Sequence, residues 1–481
     1  MKTTAMKHQV EGEKLLLAAP EFFALGAEQG TGKTWMLLND AEHQFIRGHI
    51  NGLFVIAPKG VHVNWVRREI PEHMSVPNRS RYWLSGAGVK YKRNLEQVFY
   101  KDEDELAILT MNVDAVNTKA GKEIAERFLQ RYRCMFVIDE SQRIKTPTAK
   151  RTKAILELSQ VAISRRIASG TLVANSPLDL FSQYEFLKPG LLGTKSFRAF
   201  TAEYAELLPP EHPLVQTIRQ RSRARGMPQI VAKEGGRPKF KNLSKLHKLI
   251  SPHTYRVLKE DCLDLPDKIY TTQFFELSSS QRKVYERVKS DMRYDRDDGE
   301  IDTFTALTLI NKLRQITSGF IMIDGEATSL REAGPRLAAL KEVVADADGQ
   351  LIIWATFREE IKQIAEALAD EGVVTYYGDT SDADRETAID DFQAGKVRIF
   401  IGHPAAAGTG LTLTAAKTVV YYSCSYSLEQ RLQSEDRAHR IGVKHPVVYI
   451  DLAARETIDE QIAAALQSKK GVAAEVLDGA L

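Results

Sequence analysis

Cysteine is scarce in this chain of 481 residues: Cys134, Cys262 and Cys424 lie far apart, with no CxxC pair. That excludes a disulfide framework and the usual zinc-site spacings, and predicts reduced thiols in an intracellular protein. Long hydrophobic runs are missing as well, none approaching the roughly 18 residues of a membrane span. The nearest thing to a signal-peptide core, LLLAAPEFFALGA (15–27), is interrupted by Glu21 and preceded by acids. A soluble, cytoplasmic protein is expected. Nor is one sign of charge in excess: 66 basic against 63 acidic residues leave +3, which excludes a uniformly basic nucleic-acid coat but allows a local basic face. The chain has no short-period repeat and no low-complexity tract. What remains is an ordinary globular balance, 43% apolar and 27% charged, long enough for two or three domains.

Short apolar runs alternate with helical patterns over the first 190 residues. GLFVIAP (52–58), LAILT (106–110), CMFVID (134–139) and RRIAS (165–169) read as buried parallel strands. The rhythm returns in QLIIWAT (350–356), VVTYYG (373–378), VRIFIGH (397–403), TVVYYS (418–423) and VVYIDL (447–452). An α/β fold with two doubly wound sheets follows. The middle is helical in pattern and unevenly charged. Residues 219–248 hold ten Lys or Arg and one acid, Glu234, and include a turn-rich KEGGRPKF that reads as a hairpin with the Gly-Arg-Pro core of a minor-groove hook. DRDDGEID (295–302) reads as an acidic, solvated loop.

Three segments carry chemistry. In AEQGTGKT (27–34), between an apolar segment and a helical one, Gly30 and Gly32 let the backbone wrap phosphates around Thr31. Lys33 reaches the β- and γ-phosphates and the Thr34 hydroxyl suits Mg²⁺. CMFVIDES ends an apolar strand in Asp139 and Glu140, where one carboxylate can hold Mg²⁺ and the next can polarise a water. QSEDRAHRIG (433–442) offers Arg437 and Arg440, read as three apart on one helical face and suited to the charge of a departing phosphoryl group. These arginines fall in the second α/β region, so catalysis is expected to need domain closure.

Taken together, AEQGTGKT, VIDESQRIKTPTAKRTKA, IASGTLVANSPLDLFSQYEFLKPG and LEQRLQSEDRAHRIG resemble the Swi/Snf-type translocases of helicase superfamily two. Order and spacing agree from Gln9 to about Ile458. APKGVHVNW, LKEDCLDLPDKI, LSSSQRKVYERV and AGTGLTLTAA agree too, and the length is that of phage and bacterial members. The resemblance implies two RecA-like domains with helical protrusions between them. Residues 1–190 would form the first domain, 191–265 a basic protrusion and the end of the first motor half, 266–335 a second protrusion and linker, and 336–481 the second domain. It implies ATP and Mg²⁺ as cofactors and double-stranded DNA as partner, single-stranded or branched nucleic acid being the alternative. A strand-separating helicase and a low-turnover, ATP-gated DNA clamp are the rival activities.

Residue by residue, the resemblance makes Gln9 a contact to adenine, Gly30–Thr34 the phosphate cradle, Thr34 and Asp139 the metal side, and Glu140 the water-orienting acid. Ser169, Gly170 and Thr171 would couple hydrolysis to movement. Gly408 and Gly410 would lie near the nucleotide, and Gln433, Arg437 and Arg440 would complete the site. Four positions depart from the pattern: Gln142 for His, Leu172 for Pro, Thr412 for Asn and Val443 for Gln. They leave the catalytic groups in place and bear on coupling. Trp65, Tyr82 and Trp83 are assigned to packing.

Overall fold

Strands form where the sequence stays apolar on both faces of the pleat, because helices cover both sides of a parallel sheet. The computed structural model describes residues 1–100, 104–221, 228–297, 303–323, 326–330, 334–406 and 411–479. The chain folds as two units, Met1–Leu263 with Lys469–Leu481, and Asp264–Ser468. In the first, strands β1 (Phe22–Ala27), β2 (Gly52–Ala57), β3 (Asn78–Tyr82), β4 (Leu106–Asn112), β5 (Cys134–Asp139) and β6 (Ser164–Ala168) are followed by a small hairpin, β7 (Lys233–Glu234) and β8 (Arg237–Pro238), and by β9 (Thr254–Val257). All but the hairpin join one parallel sheet in the order β3-β4-β2-β5-β6-β1-β9.

The period of two sorts side chains between two cores. Phe54, Ile56, Phe136 and Ile138 enter one, while Leu53, Val55, Met135 and Val137 enter the other. Each of these side chains is fully buried, and truncating an aromatic such as Phe54 to Ala would cost about 3–5 kcal/mol. One charged pair crosses the second core. Arg166 on β6 meets Asp40 on the helix Lys33–Ile46 at 2.8 Å, with both side chains at most 1% exposed. Gln44 donates to Asp40 at 2.9 Å, and Arg166 also donates to Ala19 O at 3.0 Å, so the pair is hydrogen-bonded as a buried charge requires.

The second unit contains β10 (Lys268–Phe275), a hairpin of β11 (Phe320–Ile323) and β12 (Glu326–Ser329), then β13 (Gln350–Trp354), β14 (Val373–Tyr376), β15 (Ile399–Gly402), β16 (Ala416–Tyr421) and β17 (Val447–Ala454). Its parallel sheet runs β10-β17-β16-β13-β15-β14. Alternation again divides Leu351 and Ile353 from Ile352 and Trp354. Both sheets are the doubly wound α/β type that the apolar rhythm predicts.

The helix Ser279–Asp297 runs into the first residues of the segment expected to be an acidic loop; 298–302 lie outside the described residues. KEGGRPKF does fold as a hairpin. Two of the ten cations in 219–248 are neutralised from outside the stretch: Lys245 by Glu203 at 2.7 Å and Lys239 by Glu206 at 3.1 Å. No helix among the described residues is long and apolar enough to cross a membrane.

Candidate nucleotide site

Sheet order decides what meets at this site. β5, β6 and β1 are adjacent and parallel, so the segments leaving their C-terminal ends emerge side by side. These are Asp139–Glu140, Ser169–Gly170–Thr171 and the loop 28–32. Such strand ends are where open α/β sheets bind ligands.

The loop turns on two left-handed glycines, Gly30 (φ 83°) and Gly32 (φ 82°). At Gly32 a Cβ would lie 2.0 Å from the end of the Gln9 side chain, and its left-handed φ would strain any other residue. Gln9 sits on the helix Lys7–Ala18, buried, its Oε1 accepting from Met6 N–H at 2.8 Å. Its neighbour His8 bonds Thr31 O through a ring nitrogen at 2.8 Å. Thr31 Oγ1 donates to Glu28 O at 2.8 Å. Lys33 Nζ donates to Ala27 O at 2.8 Å and Glu28 O at 3.1 Å, so the lysine is curled into its own loop. No side chain caps the helix Lys33–Ile46, whose first N–H groups and dipole make an anion site. Thr34 is half-buried in its first turn.

Asp139 ends β5 with its Oδ2 accepting from Trp65 Nε1 at 3.0 Å. Burial and the adjacent Glu140 charge push its carboxyl up to about 6, against the opposing pull of Trp65 and Lys33. Glu140 is left-handed (φ 54°), a conformation that a non-glycine residue rarely takes and that turns the chain sharply off the strand. Its carboxylate accepts from Gln142 Nε2 at 2.7 Å. Gln142 Oε1 in turn accepts from Ser169 Oγ at 2.6 Å, and Ser169 Oγ accepts from Thr171 N–H at 2.9 Å. Gly170 lies against the phosphate loop, where a Cβ would stand 3.3 Å from Gln29 N.

In the second unit, Gln433 and Arg437 are buried on the helix Leu428–Ala438. Arg440 is not on that helix: it follows the end at Ala438, a correction to the shared helical face. The two arginines still converge. Arg437 Nη1 donates to Leu411 O at 3.5 Å, and Arg440 Nη1 to Leu411 O at 3.2 Å and Thr412 Oγ1 at 2.9 Å. The helix is fixed by Arg431, which pairs with Glu435 at 2.7 Å, bonds Asp451 at 3.2 Å and covers the Tyr421 ring at 3.6 Å. Gly408 and Gly410 lie outside the described residues.

The SNF2-related domain matches residues 22–319, more than half of the chain, and the helicase conserved C-terminal domain matches 335–442. The chain belongs to the SNF2-related family. A Mycoplasma pneumoniae protein named as an uncharacterized ATP-dependent helicase is 26% identical, over 99% of this chain and 42% of its own length. The chromodomain-helicase-DNA-binding protein 1-like of Danio rerio is 25% identical, over 96% of this chain and 43% of its own. The chain thus spans less than half the length of these relatives. The SWI2/SNF2 ATPase core of Sulfolobus solfataricus, solved in complex with dsDNA, is 23% identical with a TM-score of 0.42, covering 100% of this chain and 94% of that one.

The residues of this SNF2-related chain suit a magnesium nucleotide. Both loop glycines take left-handed backbone that other residues rarely adopt, and the helix N-terminus lacks a cap. Among the described residues no group of three His, Cys, Asp or Glu could hold a metal ion. Mg²⁺ keeps waters and relies on one or two carboxylates plus phosphates, so Thr34 and Asp139 would be the side chains to hold it. Three contacts escaped the sequence reading. Trp65 is core, as expected, yet also grips Asp139. Thr412, one of the departures, holds Arg440. Lys259, buried just after β9, donates its N–H to the Glu28 carboxylate at 2.8 Å and brings its stem to 3.8 Å from where a Gly30 Cβ would be. No local pattern announces Lys259; β9 pairing beside β1 brings it there.

Proposed function

We propose that this chain is an ATP-driven motor that translocates on double-stranded DNA, displacing proteins or remodelling the duplex. Gly30–Thr34 take the triphosphate, and Lys33 exchanges its two loop carbonyls for β- and γ-phosphate oxygens. Thr34 and Asp139 hold the magnesium, which when bound neutralises charge on the phosphate oxygens. Glu140 orients the attacking water and receives its proton. Arg437 and Arg440 stabilise charge on the γ-phosphoryl group as its bond to the β-phosphate breaks, giving ADP and phosphate. Gln9 contacts adenine, with Gln433 completing the nucleotide contacts.

The observation that carries the motor reading is the relay Glu140–Gln142–Ser169–Thr171. It ties Glu140 to the segment that leaves the neighbouring strand through three hydrogen bonds. A passive clamp has no need of that connection. The relatives named as helicases, one of them also DNA-binding, support DNA as the track.

Steady-state ATPase with and without duplex DNA tests the reading, together with displacement of a triplex-forming strand. Stimulated turnover with triplex displacement and intact duplex is expected. Negligible turnover with and without DNA would leave the clamp, and efficient separation of a forked duplex would leave the helicase.

A further inference from the structure

The hairpin β7–β8 has no part in the nucleotide chemistry, yet it is built as a stiff projection. Its root is a three-stranded ribbon on residues 204–208. Ala232 N–H donates to Glu206 O at 2.7 Å, Glu206 N–H to Lys239 O at 3.1 Å, and Lys241 N–H to Tyr204 O at 3.0 Å. Tyr204 is buried in the first unit's core and Phe240 packs against it, so the root is anchored. At the tip Lys233 pairs with Pro238 and Glu234 with Arg237, joined by Gly235 (φ 56°) and Gly236 (φ 84°). Two left-handed residues make the tight two-residue turn, and both glycines face open space.

Residues 233–238 are all exposed. Glu234 is drawn to Lys239 at 3.4 Å. Arg237 and Lys233 make no ion pair among the described residues. The tip therefore presents a guanidinium between Gly236 and Pro238, with no bulky neighbour to hold a surface away. Exposed Arg219, Lys241 and Lys248 lie nearby in the sequence, also without ion pairs among the described residues.

We propose that this hairpin is a minor-groove probe that places Arg237 in the minor groove of duplex DNA; the proposal rests on the duplex-translocating reading above. A two-stranded ribbon also fits the major groove, where a single Arg pairs with guanine O6 and N7; that mode would show as a preference for G·C-rich duplex. The narrow minor groove of A-tracts asks only for a cation, and Arg is drawn to its enhanced negative potential. A glycine turn lets the backbone approach the groove walls.

The test uses the full chain and two duplexes of equal length, one A-tract and one G·C-rich, with binding read by anisotropy across a salt series. The wild type should prefer the A-tract, and netropsin, a minor-groove ligand, should compete. Arg237→Gln should bind both duplexes alike, with a log–log salt slope flatter by about 0.9, the share of a single cation on the duplex. Arg237→Lys should restore the slope but not the preference. An unchanged melting profile shows that the variants fold, as an exposed tip allows. Preference or slope unaltered in Arg237→Gln overturns the proposal, as does a wild type with no preference. If the wild type neither binds duplex nor responds to it in turnover, the motor reading itself fails, a result separate from an effect at Arg237 alone.

Discussion

Replacing Gln142 by Leu removes the centre of the relay while nearly conserving volume. The amide gives one hydrogen bond to the Glu140 carboxylate (2.7 Å) and takes one from Ser169 (2.6 Å). A hydrogen bond to a charged group is worth about 1.5–3 kcal/mol. If that stabilisation is needed to aim Glu140 in the transition state, at about 1.36 kcal/mol per decade kcat should fall roughly 10- to 150-fold. Nucleotide affinity should hold, because the amide's bonds to Glu140 and Ser169 can be lost with the backbone of the phosphate loop unchanged. Single-turnover hydrolysis, with ATP binding measured separately, distinguishes the two effects. A double-mutant cycle with Ser169→Ala should give a coupling of about 0.5–3 kcal/mol, as for residues in one network. Wild-type turnover in Gln142→Leu, or strictly additive single effects, would refute the relay.

Lys33→Ala should abolish turnover mainly by weakening ATP binding, whereas Glu140→Gln should keep ATP bound and stop hydrolysis; equilibrium binding beside a phosphate-release assay checks both. Arg437→Ala or Arg440→Ala should cost on the order of 10³-fold in kcat if either acts as an arginine finger, with DNA affinity in the absence of nucleotide little changed. Burial and the Glu140 charge raise the Asp139 carboxyl above its ordinary range, so its ionisation favours the unfolded state. Stability is therefore lost as pH rises from the ordinary carboxylate range through the raised value. In chelator, Asp139→Asn should therefore raise the urea midpoint at pH 8 and progressively less toward pH 4. Arg166→Met leaves the Asp40 charge buried and should destabilise the first unit by about 3–5 kcal/mol, while the double variant Asp40→Leu/Arg166→Met should recover much of it; urea unfolding read by Trp fluorescence decides.

The central strands were legible because they are apolar on both faces, and the loop and acid pair because their chemistry restricts residue type. The edges were not. β3 reads NRSRY and is half-buried throughout, and β10 exposes six of its eight residues, so neither carries an apolar run. β9 is four residues long and joins the first sheet beside β1 after a long excursion of the chain. Pairing, not pattern, makes these strands. The end of the arginine helix was missed for a similar reason: Arg440 is held by Leu411 O and Thr412, contacts that no helical periodicity encodes. Gln142 was visible as a departure, but its use of both ends of the amide needed the third dimension.

If Gln9 contacts the base, its contact with Gly32 joins two recognition events that chemistry would otherwise keep apart. The end of the Gln9 side chain lies where a side chain at position 32 would stand, so the two positions are in contact. If the same amide rotates to meet a purine edge, the floor under the phosphate loop changes shape at that moment. Choice of base would then be conveyed to the triphosphate by direct contact, across one layer of atoms rather than along the chain. A nucleotide with the wrong base would then leave Lys33 folded onto Ala27 and Glu28. Selectivity for the base would then appear in the rate of hydrolysis as well as in affinity.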